Sequence, residues 1–348
     1  MSPNISRSNP WKKVKVPQVI NAAGKMTYLG GSAVSESVAN AMAVGAQSSI
    51  EMKLLMEMAA KKVAELTRAN GALIVASASA GIIQAVAGCI AGNNLKLIQK
   101  VPFVDTEQLE ILIQKPHSID YGVSVTQLIQ IGGGRPVEVG SANRCDKDQI
   151  ESAISVRTAA ILFVVSHHVH AEYQAKLDEV IALGRKYKLP VIVDAAGETD
   201  LQFYIKLGAN LVVYSGHKAI GGPTSGLIIG DATLVRDCAA QERGVGRALK
   251  VSKEAIAGLI VALEEYTSTT IEMKYKKYQK TLELIKDSVI TTENARLSIT
   301  WDETRPIPRL EVTFLKNAEE EVLKLVEHLQ SSKPAIWTRN HKLGQGIV

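Results

Sequence analysis

The sequence predicts an α/β protein: a large domain built on a mainly parallel, seven-stranded sheet covered by helices, then a small α+β C-terminal domain. Short apolar segments alternate with segments of helical periodicity, a pattern typical of parallel sheets with helices on both faces. The chain has 348 residues, of which 46% are hydrophobic and 22% charged, enough to bury a full core. The predicted strands are Gly71–Val75, Glu110–Gln114, Arg135–Val139, Thr158–Val165, Pro190–Asp194, Leu211–Tyr214 and its antiparallel neighbour Ser225–Ile229.

Helical patterns occupy the intervals between these strands. Glu51–Thr67 is amphipathic, with Leu54 and Met58 on its apolar side, and a long helical pattern at Ser252–Lys286 leads out of the large domain. The other predicted helices are Ser35–Ala46, Ser79–Ala91, Ser124–Ile131, Lys147–Ala153, Lys176–Tyr187, Leu201–Leu207 and Ala318–Leu329. We therefore expect an N-terminal arm (residues 1–18), a large domain (19–251), and a connecting helix with a small C-terminal domain (252–348).

Composition and charge narrow the class of protein. The net charge of +5 comes from 40 basic and 35 acidic residues that are interspersed, which argues against a nucleic-acid surface and suits an anionic small molecule. Three widely spaced cysteines, Cys89, Cys145 and Cys238, are expected to be free thiols in a reducing compartment. No secretory signal and no membrane-length apolar segment is visible, so we expect a cytoplasmic protein that does not bind a membrane.

Two residues at strand ends carry the main chemical prediction. Lys218 lies between the apolar strand that begins at Leu211 and a glycine-rich turn, and Asp194 ends an earlier apolar strand about 24 residues before it. Pyridoxal 5'-phosphate (PLP) chemistry requires such a pair: the lysine forms a Schiff base, and the aspartate keeps the pyridine nitrogen protonated so that the ring accepts electrons. Either residue alone would be ordinary. The pair predicts a PLP site with Lys218 as the catalytic residue.

A segment of small residues supplies a candidate phosphate-binding turn. Ser77-Ala78-Ser79 lies between a predicted strand and a predicted helix, where small side chains let a phosphate approach the free N–H groups of the helix N-terminus. Close packing of helix on sheet also demands small residues, so this segment is informative only together with Lys218. Ser215 and His217, just before the lysine, are further candidate phosphate donors.

Other polar residues follow predicted strands. His117 could stack on a pyridine ring or be a solvated loop residue. His167, His168 and His170 lie in one short loop without carboxylate or cysteine ligands, so we expect no metal site and prefer His168 as a substrate ligand or proton shuttle. Glu198 could face the substrate or begin the next helix.

Arginines in the C-terminal domain are candidates for binding the substrate. Arg309 opens a predicted strand, and its planar guanidinium could hold a substrate carboxylate through two parallel hydrogen bonds. Arg305 competes with it for that role.

Five segments of the chain, spread over about Val19 to Tyr266, resemble the selenocysteine synthase (L-seryl-tRNA selenium transferase) superfamily of fold-type I PLP enzymes, and are most similar to its D-glucosaminate-6-phosphate ammonia-lyase branch. The N-terminal segment, which ends in Leu29-Gly-Gly-Ser32, is the one that distinguishes the lyase branch. The segments are Ile20–Thr27 with Leu29–Ser32, Gly132–Gly140 with Asn143-Arg144, Val193–Glu198, Ser215–Lys218 with Gly221–Pro223, and Gly246–Lys250.

The resemblance implies roles for individual residues. It implies that Lys218 is the Schiff-base lysine, Asp194 the pyridinium partner, His117 the stacking residue and Ser77–Ser79 part of the phosphate cup. It makes Thr27, Gly30 and Gly31 substrate candidates, and it implies a homodimer or larger homo-oligomer with active sites at subunit interfaces. Ala78 differs from the glycine that the lyase branch often has, and the chain departs from the family's small domain after Thr338.

Three hypotheses follow. The first is a lyase of amino sugar acid catabolism that removes water and ammonia from an anionic 2-amino-3-hydroxy acid to leave a 2-keto acid. The second is selenium or sulfur transfer to an aminoacyl-tRNA, for which the interspersed charge is unfavourable. The third is a non-catalytic protein on a PLP-enzyme fold, suggested by the departure at the C-terminus.

Overall fold

The computed structural model describes residues 10–166, 168–169, 173–289, 292–301, 307–340 and 342–348. These residues form two compact units. One unit is the continuous segment Ser32–Ser268, and the other combines the described residues up to Gly31 with those from Thr269 onward. The continuous unit thus begins and ends later than the predicted large domain of residues 19–251.

The described residues contain short and long strands. The strands are β1 (Ile20–Asn21), β2 (Gly71–Val75), β3 (Glu110–Gln114), β4 (Arg135–Val139), β5 (Arg144–Cys145), β6 (Thr158–Val164), β7 (Tyr173–Gln174), β8 (Val191–Asp194), β9 (Leu211–Ser215), β10 (Gly226–Gly230), β11 (Ala295–Trp301), β12 (Pro308–Phe314) and β13 (Ile336–Trp337).

Helices separate most of these strands. The α-helices are α1 (Pro10–Lys13), α2 (Glu36–Gln47), α3 (Met52–Thr67), α4 (Ala78–Ala91), α5 (Leu95–Ile98), α6 (Val125–Ile131), α7 (Lys147–Ala153), α8 (Leu177–Tyr187), α9 (Phe203–Leu207), α10 (Ala232–Ala240), α11 (Val245–Ala248), α12 (Lys253–Ser268), α13 (Ile271–Ser288) and α14 (Ala318–Ser331). Short 3₁₀ turns lie at Thr27–Leu29, Lys115–His117, Gln241–Arg243 and Leu343–Gln345.

The continuous unit is built on a seven-stranded sheet with the order β2-β10-β9-β8-β6-β3-β4. Strand β10 is antiparallel to both of its neighbours, and the other pairs are parallel. This confirms the predicted α/β class, the number of strands and the single antiparallel strand. Since the parallel strands run the same way, β2, β9, β8, β6 and β3 all end at one edge of the sheet, where ligands bind in open α/β folds.

Alternation along the strands gives the sheet an apolar core on each face. In β9, Val212 and Tyr214 point into one core together with residues of α3, α8 and α12. Leu211 and Val213 point into the other core, against residues of α4, α6 and α10. Helices therefore cover both faces, and the edge with the strand ends stays open for polar side chains.

The long helical region predicted at Ser252–Lys286 is helical, but it consists of two helices, and the break between them was not predicted. Helix α12 ends at Ser268, and α13 begins at Ile271 after Thr270, whose hydroxyl accepts a hydrogen bond from the N–H of Met273 (3.2 Å). The N-cap hydroxyl satisfies a donor that a continuous helix would pair internally. Leu259 and Leu263 of α12 are fully buried in the core of the continuous unit, which explains why that unit extends past residue 251.

The face of α3 also differs from its predicted amphipathic pattern. Val63 is fully buried, whereas Leu54 and Met58 are 52% and 54% exposed. Two side chains of the predicted apolar face thus lie at the surface of this chain.

The discontinuous unit joins the two ends of the described chain. Strand β1 pairs in parallel with β13, and β11 pairs with β12 in an antiparallel hairpin. The last residues, which have no periodicity, continue this hairpin: Val348 and Val312 exchange two backbone hydrogen bonds, of 2.9 and 3.1 Å. No described helix is both long and apolar enough to cross a bilayer, and the three cysteines are free thiols, as predicted.

Candidate functional site

Two neighbouring strands bring the lysine and the aspartate together. Asp194 is the last residue of β8 and pairs with Val213 of β9, which ends two residues later at Ser215. Lys218 follows three residues beyond that strand end. Its positive charge acts on the carboxyl group of Asp194, so the structure places the predicted pair at one site.

The carboxyl group of Asp194 is buried. It is 5% exposed, and its Oδ1 accepts a hydrogen bond from the N–H of Ala196 (3.0 Å). Burial raises the pKa of Asp194 from 3.8 to about 6, although the Ala196 N–H and the charge of Lys218 lower it. Burial penalises the ionised form, and a protonated pyridine nitrogen would supply the missing positive charge. The residue therefore fits its predicted role.

The backbone around Lys218 is held by a glycine turn. Gly216 donates to the carbonyl of Ser225 and accepts from the N–H of Gly222, both at 2.8 Å. A Cβ on Gly216 would lie 2.1 Å from the hydroxyl oxygen of Ser225, so a larger residue there would displace that hydroxyl. The hydroxyl of Ser32 donates to the carbonyl of Lys218 (3.4 Å). These contacts fix the backbone from which the lysine side chain extends.

Ser215 and His217 lie beside the lysine, as predicted. Ser215 Oγ is 3.3 Å from Nδ1 of His217. Burial, and then the charge of Lys218, lowers the pKa of His217 below its ordinary value of 6.5. The imidazole is therefore neutral at neutral pH, and can accept or donate one hydrogen bond on each nitrogen.

The candidate phosphate cup lies where β2 meets α4. Ser77 caps α4, and its Oγ accepts a hydrogen bond from the N–H of Ala80 (3.0 Å). Gly226, at the start of β10, approaches this turn so closely that a Cβ would lie 2.6 Å from the carbonyl carbon of Ser77 and 2.8 Å from the nitrogen of Ala78. Because Gly226 has no side chain, β10 can lie directly against this turn, where the 14-residue helix α4 begins. Ala78 and Ser79, in the first turn, fit a bound phosphate.

His117 is neither solvated nor loosely placed. It is fully buried, its Nδ1 accepts from the N–H of Val164 (3.1 Å), and its Nε2 lies 2.9 Å from Oε1 of Gln174. Its ring meets that of Phe163 edge to face, with centroids 4.5 Å apart. Burial lowers its pKa to about 4, despite the hydrogen bond with Gln174. The solvated alternative was wrong, and stacking stays a prediction.

Glu198 and His168 differ in their surroundings. Glu198 is half-buried, accepts a hydrogen bond from the hydroxyl of Tyr204 (3.2 Å), and raises the pKa of Asp194 through its charge. Helix α9 begins five residues later, at Phe203, so the alternative that Glu198 begins this helix was wrong. His168 is exposed, and its N–H donates to Ser166 Oγ (3.2 Å).

His167, His170 and Arg305 lie outside the described residues. Within the part of the chain that is described, no three His, Cys, Asp or Glu side chains could hold a metal ion.

Four substrate candidates belong to the discontinuous unit. Thr27 begins the 3₁₀ turn Thr27–Leu29. Gly30 and Gly31 follow this turn, and their φ angles of +81° and +76° favour glycine. The carbonyl of Gly31 accepts a hydrogen bond from the side chain of Asn21 (3.4 Å). Arg309 is half-buried on β12, opposite Thr300 of β11. Their roles towards a substrate stay predictions.

Two residues near the site were missed by the sequence analysis. Ser32 contacts Lys218 across 186 positions of sequence, and the hydroxyl of Tyr121 lies 3.5 Å from Oγ of Ser79. Neither belongs to a local pattern that marks it, apart from the position of Ser32 at the end of the Leu29-Gly-Gly-Ser32 segment.

Comparison with known proteins gives consistent matches. The family model for L-seryl-tRNA selenium transferase matches residues 19–312. The D-glucosaminate-6-phosphate ammonia lyase of Salmonella typhimurium is 37% identical over 100% of this chain and 92% of its own length. A solved structure of D-glucosaminate-6-phosphate ammonia-lyase covers 100% of this chain and 92% of its own, with a TM-score of 0.87 and 37% identity. Both alignments span the whole chain, including the residues after Thr338, and the expected departure from the family's small domain there stays a prediction.

Two further proteins, one relative by sequence and one solved structure, are also similar to this chain. The 5'-C-glycyluridine monooxygenase-decarboxylase of a Streptomyces species is 36% identical over 98% of this chain and 86% of its own length. Aspartate aminotransferase from Thermus thermophilus is 14% identical, covers 93% of this chain and 84% of its own, and has a TM-score of 0.52. The fold is therefore the fold-type I architecture of PLP-dependent enzymes, as predicted.

Proposed function

The chain belongs to the L-seryl-tRNA selenium transferase family, and within it we propose that the protein is a PLP-dependent ammonia-lyase. The proposed substrate is an anionic 2-amino-3-hydroxy acid of the D-glucosaminate 6-phosphate type, and the products are a 2-keto acid and ammonia. The observation that carries this proposal is the pair formed by Lys218 and the buried carboxyl group of Asp194. The full-length similarity to the ammonia lyase supports it.

The residues of the site divide the chemistry among them. PLP, when bound, withdraws electrons from the α-carbon of an attached amino acid. The first turn of α4, at Ala78 and Ser79, would hold its phosphate, and Asp194 would keep the pyridine nitrogen protonated. Lys218 would hold the aldehyde carbon before substrate binds.

Lys218 would then serve as the base. Its Nζ, as a free amine, would take the proton from the substrate α-carbon. The resulting Lys218 ammonium would give that proton to the C3 hydroxyl, which would leave as water. One water is lost at C3 and one is consumed when ammonia leaves, so the net products are the 2-keto acid and ammonia, without a net change in water.

Product analysis tests this function. Purified protein with PLP is expected to release ammonia and a 2-keto acid in equal amounts from D-glucosaminate 6-phosphate, and to react more slowly with the unphosphorylated acid. Both products are measured by coupled assays while an electrode follows dioxygen.

Consumption of dioxygen with release of carbon dioxide would instead favour a monooxygenase-decarboxylase. No turnover on any sugar amino acid would favour the non-catalytic alternative. Selenium or sulfur transfer would require salt-sensitive binding of tRNA.

Arg309→Ala tests the proposed carboxylate site. A hydrogen-bonded charge pair that loses one partner costs about 2–4 kcal/mol, so we expect half-saturation to need at least about 30-fold more substrate. The absorption band of bound PLP should be unchanged. Spectral titration with substrate measures both quantities, and Arg296→Ala, an exposed arginine on the neighbouring strand, is the matched control. An unchanged midpoint would remove Arg309 from the site and make Arg305 the next candidate.

We further propose that the protein is a cytoplasmic homo-oligomer. The free cysteines suit a reducing compartment. The exposed Leu54 and Met58 on α3 are the kind of apolar surface that a second copy of the chain would cover. Light scattering of the purified protein measures its size, and a monomeric mass would refute the oligomer.

A further inference from the structure

Tyr121 is a polar side chain beside the candidate phosphate cup that the proposed reaction does not use. Its hydroxyl lies 3.5 Å from Oγ of Ser79, in the first turn of α4. Burial and the negative charge of Asp194 both raise the pKa of the Tyr121 phenol. The phenol is thus close to both the cup and the buried carboxyl group.

A tight turn holds Tyr121 in this position. The turn lies between the 3₁₀ helix that ends at His117 and helix α6, and Asp120 pairs with Ser124 across it. Oδ1 of Asp120 accepts a hydrogen bond from the N–H of Gly122 (2.7 Å), and Gly122 has a φ of +108° that favours glycine. These contacts fix the backbone that carries Tyr121, which is 43% exposed.

The hydroxyl of Tyr121 is a donor at any physiological pH. Burial raises its pKa to about 12, the hydrogen bond with Ser79 lowers it, and the charges of Asp194 and Asp120 raise it further. A neutral phenol can therefore donate to an anion beside it.

We infer that Tyr121 is a cofactor-binding residue whose hydroxyl donates a hydrogen bond to the phosphate group held at the start of α4. Ser79 Oγ and the Tyr121 hydroxyl are close enough for one phosphate group to accept from both, given O–H···O distances of about 2.7–2.8 Å. The dianion gains a donor from a second segment of the chain, the turn after β3, in addition to the helix N–H groups. This inference rests on the proposed PLP site.

The test compares two ligands that differ only in the phosphate. Cofactor-free wild type, Tyr121→Phe and the control Tyr278→Phe, an exposed tyrosine on α13, are titrated with PLP and with pyridoxal. Protein fluorescence and near-visible absorption report binding. We expect Tyr121→Phe to raise the Kd for PLP about tenfold or more, as for loss of a hydrogen bond to a charged group, and to leave the Kd for pyridoxal unchanged. The control should change neither.

Each other result overturns a defined statement. If Tyr121→Phe binds both ligands as the wild type does, Tyr121 does not bind the cofactor. If it weakens both ligands equally, its contact is not with the phosphate. If the wild type binds no PLP, the proposed function itself fails. Unfolding of Tyr121→Phe in urea, expected to match the wild type, guards against a general loss of structure.

Discussion

Replacing Lys218 by alanine is expected to abolish the near-visible absorption of bound PLP and to lower kcat by roughly three orders of magnitude or more. The variant removes both the amine that holds the cofactor and the proposed base, so no other described side chain takes over both tasks. Absorption spectra and ammonia release measure the two effects. Because Lys218 is half-buried on a fixed glycine turn, the fold itself should tolerate the change.

Lys206→Ala is the matched control, since Lys206 is an exposed lysine of α9 in the same unit. It should retain both the absorption band and the activity. An absorption band that persists in Lys218→Ala but disappears in another lysine variant would refute the assignment.

Asp194→Asn is expected to stabilise the cofactor-free protein while it reduces the activity of the loaded enzyme at least about hundredfold. The folded-state pKa of about 6 lies above the ordinary value of 3.8. The folded state therefore favours the protonated carboxyl group, and stability is lost as the pH rises from about 4 to about 6. A difference of about two pKa units corresponds to about 3 kcal/mol at neutral pH. Asparagine keeps an acceptor for the Ala196 N–H without the buried charge.

Urea unfolding at several pH values checks this sign. The stability gain of Asp194→Asn should be full at pH 7 and absent below about pH 4, whereas Asp148→Asn, at an exposed position of α7, should bring no gain in stability. A neutral-pH destabilisation by Asp194→Asn would mean that the carboxylate is paired within the cofactor-free fold. If Asp194→Asn gains stability and loses activity, the buried charge of Asp194 serves function at a cost in stability.

The regular elements could be predicted where local pattern and packing agree. Strands β2, β3 and β4 have the predicted limits. Strands β2 and β3 are mainly apolar segments buried in the sheet, whereas β4 is partly exposed and is bounded by Gly134 and Gly140. Helix α10 was not predicted, although Asp231 caps it by accepting from the N–H groups of Thr233 and Leu234 and Val235 and Cys238 are buried on its apolar side. The break before α13 carried a signal in Thr270, which the helical periodicity on either side concealed.

Some residues of the candidate site could be predicted from the sequence, and others could not. Asp194 ends β8 and Lys218 lies three residues beyond the end of β9, so their meeting at one edge of the sheet could be predicted from the sequence. The contact of Ser32 with Lys218 depends on long-range folding, as does the approach of Gly226 to Ser77. Burial of a loop residue is not encoded in its neighbours either, and for this reason the enclosure of His117 by β6 and β7 was not foreseen.

The most direct measurement is reduction of the PLP-loaded protein with sodium borohydride, followed by proteolysis and mass spectrometry. Reduction makes the bond between a lysine Nζ and the cofactor permanent, so the modified residue can be identified. We expect a single modified peptide with the added mass on Lys218. Modification of another lysine, or of none, would contradict this assignment.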